Sequence, residues 1–387
     1  MISVSQALDH LFALAPDLPT EWVPLAHANG RVLSQDAVSQ RDQPPFDASA
    51  MDGYAVATVQ PDYTVVGESA AGHGYQGPVK DRNAVRIFTG APVPQGTMQI
   101  ILQEDVTRTG DRITLSDPPD AARYIRPAGD DFKRGTKMSA PRRLGPNDIA
   151  LLAAMNISTV PVTRKPIVAL ISTGDELVMP GETPGQDQII ASNTFGLQAL
   201  LTDLGATARI LPLARDTRAS LTATFDLAQH ADLIVTIGGA SVGDHDLVAA
   251  VAQECGMNQA FHKVAMRPGK PLMSGQMEGT MMLGLPGNPV SAMVCGHVFM
   301  APVIRAMLGL GAAAAPRQTA RLTAALPANG PREHYMRANC DSAGNLSVFD
   351  RQDSALLSVL GKANALAIRP PNDPARHPGD RLEILTL

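Results

Sequence analysis

DLIVTIGGASVGDHD, residues 232–246, is an apolar run that stops at Gly238-Gly239 and continues into a loop of glycine and carboxylate. MMLGLPGNPVSA, residues 281–292, repeats the same design further along the chain. A buried strand that ends at two glycines exposes backbone N–H groups to a ligand. Such strand ends lie along one edge of a parallel sheet, where α/β proteins bind anions and nucleotides. The stretch therefore predicts a parallel α/β domain with a phosphate-handling site.

Two more apolar runs, PIVALIST (166–173) and ARILPLA (208–214), also end in polar loops. If all four strands are parallel, then Glu176, Asp216 and Asp246 converge on one crevice with the glycine amides. Carboxylates beside a phosphate site are typical ligands of a Mg²⁺ ion that bridges protein and phosphate. The plainer alternative is that each acid only caps the helix that follows it. Convergence of all three favours the metal site.

Length and composition set the class of protein. The chain has 387 residues, 44% hydrophobic and 18% charged, which indicates a globular protein of several domains. A net charge of −5 argues against a general nucleic-acid surface. Three scattered cysteines without a CxxC motif indicate reduced thiols. With no signal peptide and no apolar stretch of about 18 residues, we expect no membrane span and a cytoplasmic protein.

The pattern of expected strands and helices changes along the chain. Short β-like runs separated by Gly, Pro and Asp turns alternate with a region of strand–helix repeats. We predict a multidomain α/β plus β protein with a central, mostly parallel α/β domain, an inserted β module and a C-terminal β barrel. The predicted domains are a lead domain (1–45 and 130–163), the β module (46–129), the α/β domain (164–312) and the barrel (313–387).

A basic segment, KVAMRPGKP (263–271), lies inside the α/β region. On a strand, Lys263 and Arg267 would point to the same face, because strand side chains alternate with period two. Lys270 follows a stiff Pro-Gly turn. The segment is either a solvated basic hairpin or a clamp for an oxyanion, and its apolar flanks favour the clamp. The chain contains no GxxxxGK[ST], which argues against a P-loop. GHGYQG (72–77) fits GxGxxG, but it lies among short β-like runs and not between a strand and a helix, which argues against a Rossmann dinucleotide site.

Six motifs in order, FDASAMDGYAV, RIFTGAPVP, STGDEL, GGASVGDHD, KVAMRPGKP and LPGNPVSA, resemble the molybdopterin molybdenumtransferase family, which includes bacterial MoeA and the E domain of gephyrin. The resemblance covers essentially the whole chain. It implies four domains, with the α/β domain of a molybdopterin-binding type, and an elongated homodimer. It also implies that molybdate is inserted into adenylylated molybdopterin, with Mg²⁺-dependent release of AMP, to give molybdenum cofactor.

The resemblance assigns roles residue by residue. The catalytic residues that it implies are Asp52, Thr89, Asp131, Glu176, Asp216 and Asp246. Mg²⁺ is expected on Glu176, Asp216 and Asp246. Substrate-binding residues, including the glycines and serine of the first stretch, are expected to be Gly238, Gly239, Ser241, Lys263, Arg267, Lys270, Pro286, Pro289, Arg337 and Ser354. Some family members carry Lys at the position of Arg267; Arg keeps the charge but presents a planar fork.

Two other functions remain open at this point. One is a molybdopterin adenylyltransferase, for which the β module and the C-terminal β domain would be unnecessary. The other is a non-catalytic scaffold of the gephyrin type, which the retained acidic and basic motif residues disfavour. The expected partners are adenylylated molybdopterin, molybdate and a second copy of the chain. Transient contacts with the adenylyltransferase and with molybdoenzyme chaperones are also expected, whereas nucleic acid and membrane are not.

Overall fold

The structure is a computed structural model that describes residues 1–239 and 247–387. The described chain folds into two compact units, one of residues 1–21, 30–32 and 163–387 and one of residues 22–29 and 33–162. The four predicted domain boundaries stay predictions. The α-helices are α1 (Val4–Leu14), α2 (Pro146–Ala154), α3 (Asn193–Leu204), α4 (Arg218–Leu227), α5 (Leu247–Glu254), α6 (Pro289–Cys295), α7 (Ala301–Met307) and α8 (Leu357–Leu360).

The β-rich unit contains the predicted β module. The strands before residue 164 are β1 (Thr20–Pro24), β2 (Val32–Leu33), β3 (Ala37–Val38), β4 (Ala48–Ser49), β5 (Gly53–Val56), β6 (Asp62–Ser69), β7 (Asn83–Ile87), β8 (Gln99–Leu102), β9 (Val106–Thr109), β10 (Arg112–Leu115), β11 (Ile125–Arg126), β12 (Lys137–Met138), β13 (Arg142–Arg143) and β14 (Thr159–Thr163). Six of them form a sheet of order β8-β5-β7-β6-β10-β9. Its two faces carry separate cores, because Tyr54 and Val56 face one cluster and Ala55 faces the other.

The larger unit contains the predicted α/β domain. Its strands are β15 (Ile167–Ser172), β16 (Leu177–Val178), β17 (Ile189–Ile190), β18 (Thr207–Ile210), β19 (Leu233–Ile237), β20 (Met257–His262), β21 (Met266–Arg267), β22 (Met273–Met277) and β23 (Thr280–Leu285). The main sheet has the order β18-β15-β19-β23-β22-β20. Strands β18, β15, β19 and β23 are parallel, as the sequence predicted, and β22 and β20 are antiparallel.

Helices cover both faces of this sheet. Alternate residues of β15 face different cores: Val168 packs in one cluster and Ala169 in the other. Helix α1 belongs to the first cluster through Leu8 and Leu11. Its start carries a capping box, in which the Gln6 N–H donates to Ser3 Oγ at 3.1 Å and the Ser3 N–H donates to Gln6 Oε1 at 3.0 Å.

One helix corrects an expectation from the sequence. Residues Pro289–Met307 run through α6, a π-helical turn (Gly296–Met300) and α7, and their length and mean hydropathy of 1.5 suit a membrane span. The expectation that no apolar stretch reaches span length was therefore wrong. However, 78% of the apolar window is buried inside the protein. A Cβ on Gly296 would lie 2.8 Å from Leu197 Cδ2, so the helix packs closely against α3 and forms part of the core.

The C-terminal strands close into the predicted barrel. They are β24 (Gln318–Leu322), β25 (Glu333–Cys340), β26 (Asn345–Val348), β27 (Ala365–Arg369) and β28 (Arg381–Thr386). The sheet order is β21-β25-β26-β24-β28-β27, and an additional β25–β27 pairing closes five strands into a ring. The short strand β21, from the α/β region, pairs in parallel with β25 on its outside. The fold class predicted from the sequence is confirmed.

A histidine is buried among arginines in this barrel. His334 on β25 is only 8% exposed, and it lies in register with Arg267 on β21 and Arg369 on β27. Burial lowers the pKa of His334 to about 4, and the positive charges of the arginines add to the effect. The imidazole is therefore neutral near pH 7 and resists protonation in the folded state.

We predict that His334 makes the folded protein lose stability as the pH falls from about 6.5 to about 4, because the unfolded chain binds a proton in this window and the folded chain does not. The contribution is on the order of 3 kcal/mol. Denaturation midpoints of the protein and of a His334→Gln variant should be compared at about pH 7.5 and about pH 4.5. The unmodified protein should lose more on acidification; an equal loss in both proteins would contradict the prediction.

Candidate functional site

A cavity opens at the carboxyl ends of the parallel strands β15, β19 and β23. Its volume is about 580 Å³. It is lined by Ser172, Thr173, Gly174, Glu176, Leu177, Ile189, Ile190, Ala191, Ser192, Asn193, Asp216, Ile237, Gly238, Gly239, Pro271, Pro286, Gly287, Asn288, Pro289 and Ala355. We call it the acidic cavity. It brings together six of the residues singled out in the sequence, namely Glu176, Asp216, Gly238, Gly239, Pro286 and Pro289.

Two glycines form part of the cavity wall after β19. Gly238 and Gly239 have φ values of +96° and +63°, which L side chains rarely adopt. A Cβ on Gly238 would lie 2.8 Å from the Thr173 carbonyl oxygen, and one on Gly239 would lie 2.9 Å from Val248 Cβ. The chain passes so close to its neighbours that only glycine fits. Ser241 and Asp246, the other predicted residues of this loop, lie outside the described residues.

The acidic group is assembled by the loop after β15. Gly174, with φ +147°, leaves space that the Glu176 carboxylate occupies, because a Cβ there would lie 2.7 Å from Glu176 Cδ. The Asp216 N–H donates to Asp175 Oδ1 at 3.2 Å. Burial raises the pKa of the Asp216 carboxyl, and the negative charges of Asp175 and Glu176 raise it further. A bound cation would relieve this repulsion.

This donor set fits Mg²⁺ in part. Within residues 1–239 and 247–387, no three His, Cys, Asp or Glu side chains are arranged to hold a metal by themselves. Glu176 and Asp216 nevertheless face the same cavity, and the third predicted ligand, Asp246, is outside the described residues. Mg²⁺ commonly takes only one or two protein carboxylates, with water and substrate phosphate completing its shell. The two carboxylates suit such a site.

A second cavity of about 310 Å³ adjoins the first. It is lined by Arg267, Pro268, Gly269, Lys270, Pro271, Asn288, Ser291, Arg332, Gln352, Asp353 and Ser354. We call it the basic pocket. Pro271 and Asn288 line both cavities, so the two are contiguous. Asn288 Nδ2 donates to Ser354 Oγ at 3.1 Å, and the Val290 N–H donates to the Ser354 carbonyl at 3.0 Å. These bonds tie the loop after β23 to the C-terminal domain.

The strand predicted for Lys263 is wrong. Strand β20 ends at His262, and Lys263 itself has a left-handed φ of +79°. Its N–H donates to the Leu272 carbonyl at 2.8 Å. The period-two argument that placed Lys263 and Arg267 on one face therefore fails. Arg267 and Lys270 line the basic pocket, whereas Lys263 lines neither cavity.

Arg337 is held in the protein interior next to the basic pocket. It is 0% exposed, and its Nη2 donates to the Arg351 carbonyl at 3.1 Å. Its Nε and Nη1 have no hydrogen-bond partner among the described residues. Gln352, which lines the pocket, accepts from the Arg337 N–H and donates to the Arg337 carbonyl, both at 2.9 Å. Burial lowers the pKa of this guanidinium, and the charge of Asp353 acts in the opposite direction.

The remaining predicted residues lie in the β-rich unit. The Thr89 N–H and Oγ1 both donate to Asp52 Oδ1 at 2.7 Å. The backbone hydrogen bond is the main cause that lowers the pKa of the Asp52 carboxyl. The Asp131 N–H donates to the Gln43 carbonyl at 2.9 Å. The structure thus joins Asp52 to Thr89 as one pair, and it shows no bond between that pair and Asp131 within the described chain.

Several residues of the site were missed in the sequence. Asn193 donates through Nδ2 to the Gly287 carbonyl at 2.7 Å and so joins the start of α3 to the loop after β23. An apolar wall of the acidic cavity includes Ile189 and Ile190, which are 58% and 37% exposed. Arg332, Gln352 and Asp353 reach the basic pocket from the C-terminal domain. Only Asn288, inside the LPGNP motif, carried a signal that could have identified it.

Comparisons with known proteins agree with this architecture. Three family models match in order: the MoeA N-terminal region (domains I and II) over residues 2–156, a probable molybdopterin binding domain over 169–306, and the MoeA C-terminal region (domain IV) over 319–387. Two crystal structures of the molybdopterin biosynthesis MoeA protein from Pyrococcus horikoshii match with TM-scores of 0.86 and 0.83. Each is 28% identical and covers 100% of this chain, and 99% and 100% of those chains are covered in return.

Two sequence relatives carry the same name. The molybdopterin molybdenumtransferase of Haemophilus influenzae is 38% identical over 317 residues, which are 80% of this chain and 78% of that protein. The protein of the same name from Nostoc is 34% identical over 410 residues, covering 100% of this chain and 94% of that one. The chain belongs to the molybdopterin molybdenumtransferase family, the transferases that insert molybdenum into molybdopterin during molybdenum cofactor biosynthesis.

Proposed function

We propose that the substrate of this enzyme is adenylylated molybdopterin, and that molybdate insertion is accompanied by Mg²⁺-dependent release of AMP. The observation that carries the proposal is the contiguity of the acidic cavity and the basic pocket through Pro271 and Asn288. A glycine-walled cavity with carboxylates suits phosphate groups and a divalent cation. A neighbouring pocket with Arg267 and Lys270 suits a tetrahedral oxyanion. Both substrates can therefore meet at one site.

Each group of residues has a distinct part in this proposal. The backbone at Gly238 and Gly239 allows close approach of the phosphates, with Ser241 of the same loop. Glu176, Asp216 and Asp246 would hold Mg²⁺, which when bound neutralises phosphoryl oxygens during cleavage of the phosphoanhydride. Water is consumed in that cleavage, and AMP leaves. Pro286 and Pro289 stiffen the loop between the two cavities.

Molybdate would lie in the basic pocket. Arg267, Lys270 and the Ser354 hydroxyl can donate hydrogen bonds to its oxygens, and the buried charge of Arg337 supports the anion from behind the pocket wall. The two dithiolene thiols of the pterin would bind the metal, and one oxide of molybdate would leave as water with the two thiol protons. None of the cysteines is needed for this: Cys255, Cys295 and Cys340 line neither cavity. Lys263 does not line this pocket. We therefore propose that it contributes only to the conformation of the surrounding loop.

The proposed roles of Asp52, Thr89 and Asp131 depend on how the protein assembles. They belong to the β-rich unit, and their part in the reaction, through domain folding or a dimer partner, stays a prediction. We propose a cytoplasmic homodimer, with transient contacts to the adenylyltransferase and to molybdoenzyme chaperones. Light scattering combined with activity measurement tests the dimer. A monomer that retains full activity, together with full activity of an Asp52→Asn variant, would contradict this part.

The direct test of the function is incubation of the protein with adenylylated molybdopterin, molybdate and Mg²⁺. AMP release and formation of active cofactor should both depend on molybdate and on the metal. ATP with free molybdopterin serves as the contrasting substrate pair. Turnover of that pair, without turnover of the adenylylated substrate, would identify an adenylyltransferase and refute the proposal.

We predict that Glu176→Gln and Asp216→Asn each lower AMP release by at least about a hundredfold, which corresponds to about 3 kcal/mol of transition-state stabilisation. The thermal midpoint should not fall, because each change removes a charge from a repulsive group. The matched control is Asp226→Asn on the exposed side of α4. Near-normal activity in both variants, over a range of Mg²⁺ concentrations, would refute the metal assignment.

We also predict that Gly174→Ala raises the Mg²⁺ concentration needed for half-maximal activity by at least about tenfold, because the new Cβ would displace the Glu176 carboxylate. The control is Gly181→Ala. Gly181 also has a positive φ, +95°, but a Cβ there meets nothing within 4 Å. The control therefore carries the backbone strain without the collision. An equal Mg²⁺ requirement in the two variants would show that the Glu176 position is unimportant.

A further inference from the structure

Arg86, in the β-rich unit, is held by two aromatic rings. It lies on β7 directly opposite Tyr54 on β5. Its guanidinium carbon is 5.1 Å from the centroid of the Tyr54 ring and 4.7 Å from the centroid of the Phe88 ring. A guanidinium within about 6 Å of the centroid of an aromatic ring is attracted by the quadrupole of that ring. The two rings therefore fix the position of this half-buried side chain.

The donors of Arg86 bind the backbone around Asp52. Arg86 Nη1 donates to the Gly53 carbonyl at 3.1 Å, and Arg86 Nη2 donates to Gln103 Oε1 at 2.5 Å. The Gln103 N–H donates in turn to the Asp52 carbonyl at 3.3 Å. Arg86 is thus bonded both to the residue that follows Asp52 and to the residue that bonds the Asp52 backbone.

The same side chain also contacts the loop that carries Thr89. Phe88, whose ring packs on the guanidinium, immediately precedes Thr89. Both hydrogen bonds from Thr89, those of its N–H and Oγ1, go to Asp52 Oδ1 and leave Oδ2 for a substrate. The direction of Oδ2 therefore depends on how the two loops are held together, and Arg86 contacts both of them.

The charge of Arg86 is not neutralised by an ion pair. Among the described residues, no carboxylate oxygen lies within 4 Å of its guanidinium nitrogens. The hydrogen bonds from Thr89 are the main cause that lowers the pKa of the Asp52 carboxyl, and the positive charge of Arg86 lowers that pKa further. Arg86 therefore acts on Asp52 through its charge as well as through the backbone.

We propose that Arg86 is a positioning residue for the Asp52–Thr89 pair, and that it acts on the reaction through these two residues and not by touching the substrate. The inference rests on the proposed function, in which Asp52 and Thr89 are catalytic. A guanidinium between two rings, with two bonded donors, is a rigid support for two loops that would otherwise be joined only by the pair itself.

The rate of AMP release in a double-mutant cycle tests this proposal. Arg86→Gln should lower the rate by at least about tenfold, because a small misplacement of a catalytic group can cost about a hundredfold. In an Asp52→Asn background, the same change should lower the rate by less than about twofold, because the effects of residues that act as one unit are not additive. If Arg86→Gln does not fold, Arg86→Lys replaces it with the same expected direction. Lysine keeps the charge but lacks the planar fork that spans Gly53 and Gln103.

Hydrogen exchange, measured at single amides, separates positioning from general stability. The Thr89 amide should exchange at least about tenfold faster in Arg86→Gln, because its acceptor Asp52 is held less firmly. The Ile100 amide, which donates to the Arg123 carbonyl at 3.1 Å and belongs to the same sheet, should exchange at an unchanged rate. If Asp52→Asn leaves no measurable AMP release, these exchange rates decide the question.

The matched control is Arg108→Gln. Arg108 is an exposed arginine on β9 of the same sheet, and its Nε donates to the Gly110 carbonyl at 2.9 Å. This change also removes an arginine that bonds a backbone carbonyl, but the bond is remote from Asp52 in the chain. It should change neither the rate of AMP release nor the exchange of the Thr89 amide.

Three results would overturn the proposal. They are full AMP release by Arg86→Gln, an equal effect of this change with and without Asp52, and equal acceleration of the Thr89 and Ile100 amides. In each case the proposed function stands, provided that the unmodified protein releases AMP and Asp52→Asn impairs the release. Full activity of Asp52→Asn would overturn both this inference and the catalytic role of Asp52 in the proposed function.

Discussion

The parallel pairing of β15, β19 and β23 is the constraint on which the site depends. Parallel strands end at the same edge of a sheet, so three loops that are far apart in the chain open onto one cavity. Each of these loops contains a glycine or a proline. A larger residue in place of the glycine would narrow the cavity, and a more flexible residue in place of the proline would make the loop less rigid. The Glu176 carboxylate fits only because Gly174 has no side chain.

The second constraint is the attachment of the C-terminal barrel to the α/β domain. Strand β21 leaves the α/β region and pairs with β25, which places Arg267 beside the barrel. From the other side, Ser354 bonds to Asn288 at the start of α6. The basic pocket therefore takes residues from both domains, and neither domain contains it alone. Arg267 is exposed and Arg332 is half-buried, so the cations of the pocket remain accessible to an anion from solvent.

Much of this was visible in the sequence because the signals were local. Apolar runs of strand length ending in Gly-Gly or Pro-Gly predicted the parallel sheet, and the helix starts at Ser3 and Pro146 carried their usual signatures. The argument that placed Lys263 and Arg267 on one face of a strand failed because Lys263 adopts a left-handed conformation. Periodicity does not report such a turn. The sequence did not reveal that the helix beginning at Pro289 is as long and apolar as a membrane span, because Gly, Ser and Pro residues interrupt its apolar run.

The sequence by itself determined the classes of elements, the glycine and carboxylate loops and, through six ordered motifs, the family. Those are properties of short segments, which is why a single chain reveals them. Only the tertiary structure decided that the site is divided into an acidic and a basic cavity, that Lys263 lies outside both, and that Arg332 lies inside one. These facts depend on strand pairing and on domain attachment over long separations in the chain, and the residues concerned carry no local pattern that distinguishes them from surface charges.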